Sequence, residues 1–364
     1  MKKDIDTWDA YRESELAWLR PRLTSLGYTL DENQPHIAGE RYLMQAVTTA
    51  AGRKLILLAS RSSDGQRAVV KATSDVGGKK EIGHERACRR FLADIDFAYQ
   101  PFHSPAELLW EERDDRLIFI QEYIEQSSAF LARPPEEQFH IALAALKAQE
   151  SAHATTYGHR AKVRGVFGSH GVNDYFSSVK HFFACVVSAF PSYEERLSRA
   201  ESLLKAGKRR IDQYGGFLTH TDFVPHNFRI KDGTLYLLDH SSFRFANKYE
   251  GWARFTNFMA LYHPALASAL VAYVRNNRTP EEAEAFQLMR IYRLMEILCY
   301  YVRTLSRSEG DLRALNEARI AFWGEVLDAV MDGSEVAPET VVEYQATRDR
   351  LRSPEEKVRQ QGLH

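Results

Sequence analysis

Asp222, Asn227 and Asp239 are oxygen-bearing side chains in two short stretches, His220-Thr221-Asp222-Phe223-Val224-Pro225-His226-Asn227 and Leu237-Leu238-Asp239. Asn227 follows Asp222 by five positions and Asp239 follows it by seventeen (239 − 222 = 17). Phosphoryl transfer from Mg-ATP needs such a set: one carboxylate takes up the proton of the acceptor hydroxyl, while an amide and a second carboxylate hold Mg²⁺ against the phosphates.

The surrounding residues predict how these groups are held. Gly215-Gly216 ends a helix, residues 217–219 suit a short strand, and Pro225 stops the Asp222 loop from running on as helix. Residues 228–230 and 234–238, joined by the turn Lys231-Asp232-Gly233, read as a β-hairpin. Asp222 and Asn227 then precede its first strand, and Asp239 closes its second.

An H-x-D pattern is short, so the amino-terminal half must supply a nucleotide site if the reading is to hold. Residues 42–48 and 54–59 have strand patterning, and the turn Ser62-Ser63-Asp64-Gly65 leads to a third strand, 66–72, that carries Lys71 near its end. A Gly77-Gly78 loop and a helix over residues 80–93 follow, bearing Glu81 and Glu85 one turn apart on the same face. Residues 116–124 read as a strand with a polar exit. Taken singly, Lys71 is a solvated strand-end cation, Glu85 a surface charge, Asp222 a turn cap and Asp239 a helix cap. Their order along one chain favours the site.

The loop resembles the H-x-D-x-x-x-x-N catalytic loop of the aminoglycoside phosphotransferase and choline kinase-like family, relatives of the protein kinases, with Asp239 standing where that family has its metal-binding Asp. The resemblance spans roughly residues 38 to 330. It implies a protein-kinase-like α+β fold: a small antiparallel sheet with one helix, then a mainly helical lobe, with ATP between them. Position by position, it makes Asp222 the catalytic base, Asn227 and Asp239 Mg²⁺ ligands, and His220 a support beneath the loop. Lys71 would sit on the nucleotide phosphates, drawn there by Glu85, which lies deeper in its helix than Glu81. Thr48, Thr49 and the backbone near Gly52 would cover the phosphates, although no strict Gly-x-Gly-x-x-Gly is present. The Glu122 carbonyl and Ile124 amide would hold adenine.

Two departures narrow the resemblance. Asp239 is followed by His240-Ser241 rather than the Phe-Gly of protein kinases, and no Ala-Pro-Glu segment follows, so a protein-kinase activity is disfavoured. A nucleotide-binding pseudokinase would keep the lobes and lose turnover, but the expected polar residues are all present. A metal-dependent phosphohydrolase built on His220, Asp222, His226, Asp239 and His240 would have no use for Lys71 and Glu85.

Composition fits a large enzyme. The chain has 364 residues, 44% of them hydrophobic, and a net charge of −1 from 48 Lys and Arg against 49 Asp and Glu, which disfavours nucleic acid or anionic membrane as partners. Cys88, Cys185 and Cys299 form no C-x-x-C pair and read as reduced thiols of a cytoplasmic protein. No stretch has the roughly 20 consecutive apolar residues of a membrane span. The expected organisation is an N-terminal helical extension over 1–35, a nucleotide lobe over 36–125, a helical acceptor lobe over 126–352 and a polar tail over 353–364. Helices are expected over 7–26, 135–156, 174–189, 193–214, 249–276, 279–306 and 312–331. Thr279 as cap with Pro280 at the first turn marks one start well. Arg244, Lys248 and Arg254 follow Asp239 closely and could attract an anionic acceptor or pair with Glu250. Partners are ATP and a small hydroxylated acceptor, whose identity no stretch of sequence reveals.

Overall fold

A computed structural model describes residues 8–32, 34, 52–95, 97, 102–153, 165–306 and 308–352. The expected strand at 42–48, Thr48, Thr49, the end of the 135–156 helix and the 353–364 tail lie outside the described residues. The chain divides into two compact units. One contains the described residues within Met1–Arg90, His103–Gln126 and Arg229–Ser241; the other contains those within Phe91–Phe102, Ser127–Phe228 and Ser242–His364.

The first unit is a five-stranded antiparallel sheet in the order β1-β2-β3-β5-β4, with a helix against each face. Its elements are α1 (Trp8–Ser25), β1 (Tyr28–Leu30), β2 (Leu55–Arg61), β3 (Arg67–Thr73), α2 (Val76–Ala93), β4 (Glu107–Arg113) and β5 (Arg116–Glu122). Strand alternation decides what each face meets. Leu55, Leu57 and Ala59 of β2 and Ala68, Val70 and Ala72 of β3 pack with Tyr11, Leu19 and Leu23 of α1. Lys71 has the opposite parity and so belongs to the other face, where Ile82 of α2 packs with Leu117 and Phe119 of β5. Strand β1, of three residues, and β4, whose exposure does not alternate, carry too little patterning to stand out in the sequence.

Helix α2 starts earlier than the sequence suggests, because Gly77 and Gly78 lie inside its first turn rather than in a loop. The Asp75 carboxylate accepts from the Gly78 amide at 2.9 Å and from the Arg53 amide at 3.2 Å, capping the helix while tying the start of β2 to it. The backbones come so close that a Cβ on Gly78 would lie 2.3 Å from the Arg53 carbonyl oxygen. Tyr11 completes the junction, its hydroxyl 3.0 Å from the same carbonyl and 2.9 Å from Thr73 Oγ1.

The second unit is mainly helical. It holds α3 (Pro135–His153), α4 (Val172–Ala189), α5 (Glu194–Ala206), α6 (Lys208–Gln213), α7 (Glu250–Tyr262), α8 (Pro264–Asn277), α9 (Pro280–Leu305), α10 (Gly310–Met331) and α11 (Pro338–Leu351). Two expected helices are each broken in two. The 193–214 helix divides at Gly207, where a Cβ would meet Leu288 Cδ1 of α9 at 2.3 Å. The 249–276 helix divides at His263, whose φ of −153° leaves the helical region before Pro264 opens α8, and His263 Nδ1 caps α8 by accepting from the Leu266 amide at 3.1 Å. The expected start of α9 is present as a capping box between Thr279 and Glu282.

A small sheet lies among these helices: β10 (Phe243–Ala246) pairs antiparallel with β7 (Phe217–His220) and parallel with β6 (Gly168–Ser169). The hairpin β8 (Phe228–Lys231) and β9 (Thr234–Leu237) turns through Asp232 at φ 51° and Gly233 at φ 74°, the two left-handed residues of a tight hairpin turn. From Arg229 onward its contacts group it with the first unit. His103 bridges to Tyr236, donating its amide to Leu235 and accepting from Leu237.

Two measurements follow from these junctions. Gly78→Ala must displace backbone and is expected to lower the unfolding free energy by about 1–3 kcal/mol. Gly83→Ala, in the same helix with nothing within 4 Å of the added methyl, is expected to raise it by about 0.5–1 kcal/mol. Urea unfolding of the two variants checks the opposite signs. The second concerns Glu282, which partial burial pushes up but which Lys248, the Tyr249 hydroxyl and the Thr279 amide together hold down at about 2. A depressed carboxyl stabilises the fold above its unfolded value, about 4.3, and loses that contribution as pH falls toward its folded value. The stability deficit of Glu282→Gln should therefore be full at neutral pH and shrink between about pH 5 and pH 2, as read from denaturant midpoints in buffers across that range.

Candidate active site

Lys71 is delivered to α2 by the parity of β3, and Glu85 is on the helix face that meets it. Lys71 Nζ lies 2.6 Å from both carboxylate oxygens of Glu85, and the two residues are only 6% and 4% exposed. Glu81 pairs instead with Lys54, which leaves Glu85 as the partner of Lys71. The Lys71 ammonium also lies 6.0 Å from the centre of the Phe119 ring. Burial pushes the Glu85 carboxyl up from its ordinary value; the Lys71 charge opposes this and the Asp239 carboxylate adds to it.

Asp239, two residues beyond β9, belongs to the same unit. Its Oδ1 accepts from the Ser241 amide at 2.8 Å and the Ser241 hydroxyl at 2.7 Å, so one oxygen is fixed by Ser241. His240 is buried, and its Nε2 lies 2.9 Å from Ser104 Oγ. At the end of β5, the Glu122 amide donates to the Ala106 carbonyl, and its side chain lies 3.8 Å from Lys231 Nζ. Ile124 is buried, and its amide has no hydrogen-bond partner among the described residues.

The second unit holds the Asp222 loop. His220, fully buried at the end of β7, packs its ring 5.1 Å from that of Phe243 and 6.1 Å from that of Phe223. Its carbonyl accepts from Gln149 Nε2 of α3 at 3.0 Å, and the same amide donates to Thr219 Oγ1 at 2.7 Å. Gly251 makes room for this contact, since a Cβ there would lie 2.4 Å from the His220 carbonyl oxygen and 2.1 Å from Gln149 Nε2. Beyond Asp222, residues 225–227 make a single 3-10 turn, and Asn227 Nδ2 folds back to donate to the Asp222 carbonyl at 2.7 Å and to Asp222 Oδ2 at 3.2 Å. With its nitrogen so engaged, Asn227 turns its amide oxygen away as an acceptor.

Burial would raise the Asp222 carboxyl, yet Arg254, His226 and Arg293 outweigh it and hold the group well below the usual carboxylate range. Arg254 Nε donates to Asp222 Oδ1 at 3.0 Å. Glu250, at the start of α7 and completely buried, accepts from Arg244 at 2.6 Å, from Arg293 at 3.3 Å and from the Tyr175 hydroxyl. Of the three cations that follow Asp239, Arg244 thus pairs with Glu250, Lys248 with Glu282 and Arg254 with Asp222. The sequence reading missed Gln149 and Arg293, which are ordinary residues of amphipathic helices until tertiary contacts assign them.

No protein-family model matches the chain, and no curated protein matches it by sequence. Solved structures do match. A thermostable mutant of aminoglycoside phosphotransferase APH(4)-Ia in its apo form aligns with a TM-score of 0.60 at 13% identity, over 86% of this chain and 97% of that one. An amicoumacin kinase, solved with AMP-PNP, Ca²⁺ and Ami, aligns with a TM-score of 0.58 at 11% identity, over 91% and 98%. A macrolide 2′-phosphotransferase type I aligns with a TM-score of 0.55 at 14% identity, over 84% and 96%. The chain has the protein-kinase-like fold of these phosphotransferases.

Proposed function

We propose that the protein is an ATP-dependent phosphotransferase that moves the γ-phosphoryl group of Mg-ATP to a hydroxyl of a small molecule, with Asp222 as the base. The observation that carries this reading is the buried Lys71–Glu85 pair, in a chain that shares its fold with small-molecule kinases. A lysine held by both oxygens of a buried carboxylate is expensive to desolvate and is retained where its position matters.

In this reading the nucleotide lobe, 36–125, contributes Lys71 to the phosphates, with Thr48 and Thr49 covering them and the Glu122 carbonyl and Ile124 amide taking the adenine edge. The acceptor lobe, 126–352, contributes the loop that His220 supports. The oxygen donors of Asn227 and Asp239 suit Mg²⁺. When bound, that ion would supply charge neutralisation of the phosphates. Asp222, ionised throughout the neutral range, would accept a hydrogen bond from the acceptor hydroxyl, orient its oxygen for in-line attack and take its proton as the bond to phosphorus forms.

Lys71 and Glu85 have no use in the hydrolase reading, and their buried pairing favours the phosphotransferase. No helix among the described residues is long and apolar enough to cross a membrane. ADP release across a panel of hydroxylated metabolites and antibiotics tests the proposal. Asp222→Asn should lower kcat by about 10²–10⁴-fold while ATP binding persists, and Lys71→Ala should weaken both. Full turnover in Asp222→Asn would overturn the assignment.

A further inference from the structure

Arg254 is the cation that touches the proposed base, and its placement invites more than an ion pair. Its helix, α7, is already anchored through Glu250, four residues earlier, which binds Arg244 and Arg293 in a fully buried cluster. Arg254 is not needed for that cluster. Its one side-chain hydrogen bond among the described residues is Nε–H to Asp222 Oδ1, and its side chain is 22% exposed against 37% for Asp222, so the pair borders solvent.

Resting on the phosphotransferase reading, we propose that Arg254 is the positioning residue of the transfer: its Nε–H fixes Oδ1 of Asp222 and so aims Oδ2 at the acceptor hydroxyl. In the step itself, the acceptor oxygen bonds to the γ-phosphorus, the bond from that phosphorus to the bridging oxygen of ADP breaks, and the hydroxyl proton passes to Asp222. Without this clamp, held only by the longer bond from Asn227 to Oδ2, the carboxylate has more freedom about its last torsion, which is broad for aspartate, and spends less time aligned.

The charges facing Asp222 come from three elements: Arg254 from α7, Arg293 from α9, and His226 from the turn that also supplies the Asn227 amide. Arg293 is shared with Glu250 and Glu296, at 3.3 Å and 2.8 Å, so it acts on Asp222 by field rather than by contact. Arg254 donates to Oδ1 while Asn227 Nδ2 donates to Oδ2, so removing Arg254 leaves Oδ1 without its clamp.

The test compares wild type, Arg254→Met, Arg254→Lys and Asp222→Asn in ADP release, with the best acceptor from the panel or with water. Arg254→Met should lower kcat by about tenfold or more while KM for ATP stays within about twofold. Lysine should recover part of kcat, and guanidinium added to Arg254→Ala should do the same. Three results overturn the inference: wild-type kcat in Arg254→Met; a KM for ATP that rises as far as kcat falls; or an inactive Arg254→Met with no recovery by lysine or by guanidinium in Arg254→Ala. If Asp222→Asn turns over like wild type, or wild type releases no ADP at all, the phosphotransferase reading itself fails.

Discussion

Lys71 and Glu85 form a fully paired charge couple inside the sheet unit, and much of that unit is arranged around making the couple tolerable. Burying an ammonium and a carboxylate costs several kcal/mol per ion unless the geometry is close to ideal. Both Glu85 oxygens lie 2.6 Å from the ammonium. That geometry needs β3 to present Lys71 on the α2 face and α2 to hold its axial position. The first condition is met by strand parity, because Ala68, Val70 and Ala72 are fixed against α1 on the other face. The second is met at the helix start, where Asp75 caps α2 and Gly78 lets the Arg53 carbonyl approach. Glu85 is 14 residues from Lys71 in sequence, and α2 can bring it close because its beginning is tied down.

The Asp222 loop is stabilised differently, by neutral hydrogen bonds beneath and charges above. Gln149 and Thr219 secure the His220 carbonyl in an apolar setting of aromatic rings, which fixes the backbone that enters the loop. The exit is fixed by Asn227, whose amide nitrogen returns to the Asp222 carbonyl. With both ends held, the Asp222 side chain is the part left to respond to its surroundings, and those are cationic. A carboxylate so depressed is a weak base in the ground state. In the proposed transfer its contribution would be orientation of the nucleophile, in keeping with a loose transition state.

How much of this was legible in the sequence follows from contact range. The Asp222–Asn227 spacing, the β8–β9 hairpin, the Thr279–Pro280 helix start and the alternation of β2 and β3 are local patterns, and the structure has each of them. Breaks in helices were less legible: Gly207 reads as a tolerated glycine until Leu288 is brought against it, and His263-Pro264 was absorbed into an apolar period that continues on both sides. The strands β1, β4 and β10 owe their existence to partners rather than to their own patterning. Gln149 and Thr219 are 70 residues apart, and Arg254 and Asp222 are 32 apart, so no local signal marks either pair.

The choice between Glu81 and Glu85 shows how such an ambiguity is settled physically. Both lie on one face of α2, and either could reach a lysine on the adjoining strands. Lys54, beside the start of β2, takes Glu81, and the side chains of that pair stay 18% and 25% exposed, whereas those of Lys71 and Glu85 are 7% and 5% exposed. A solvated pair is worth little and can be lost cheaply, while a buried one exposes the full desolvation cost if either member is removed. The two pairs run parallel on the same helix, and burial sets the inner one apart as the pair whose geometry the fold must preserve.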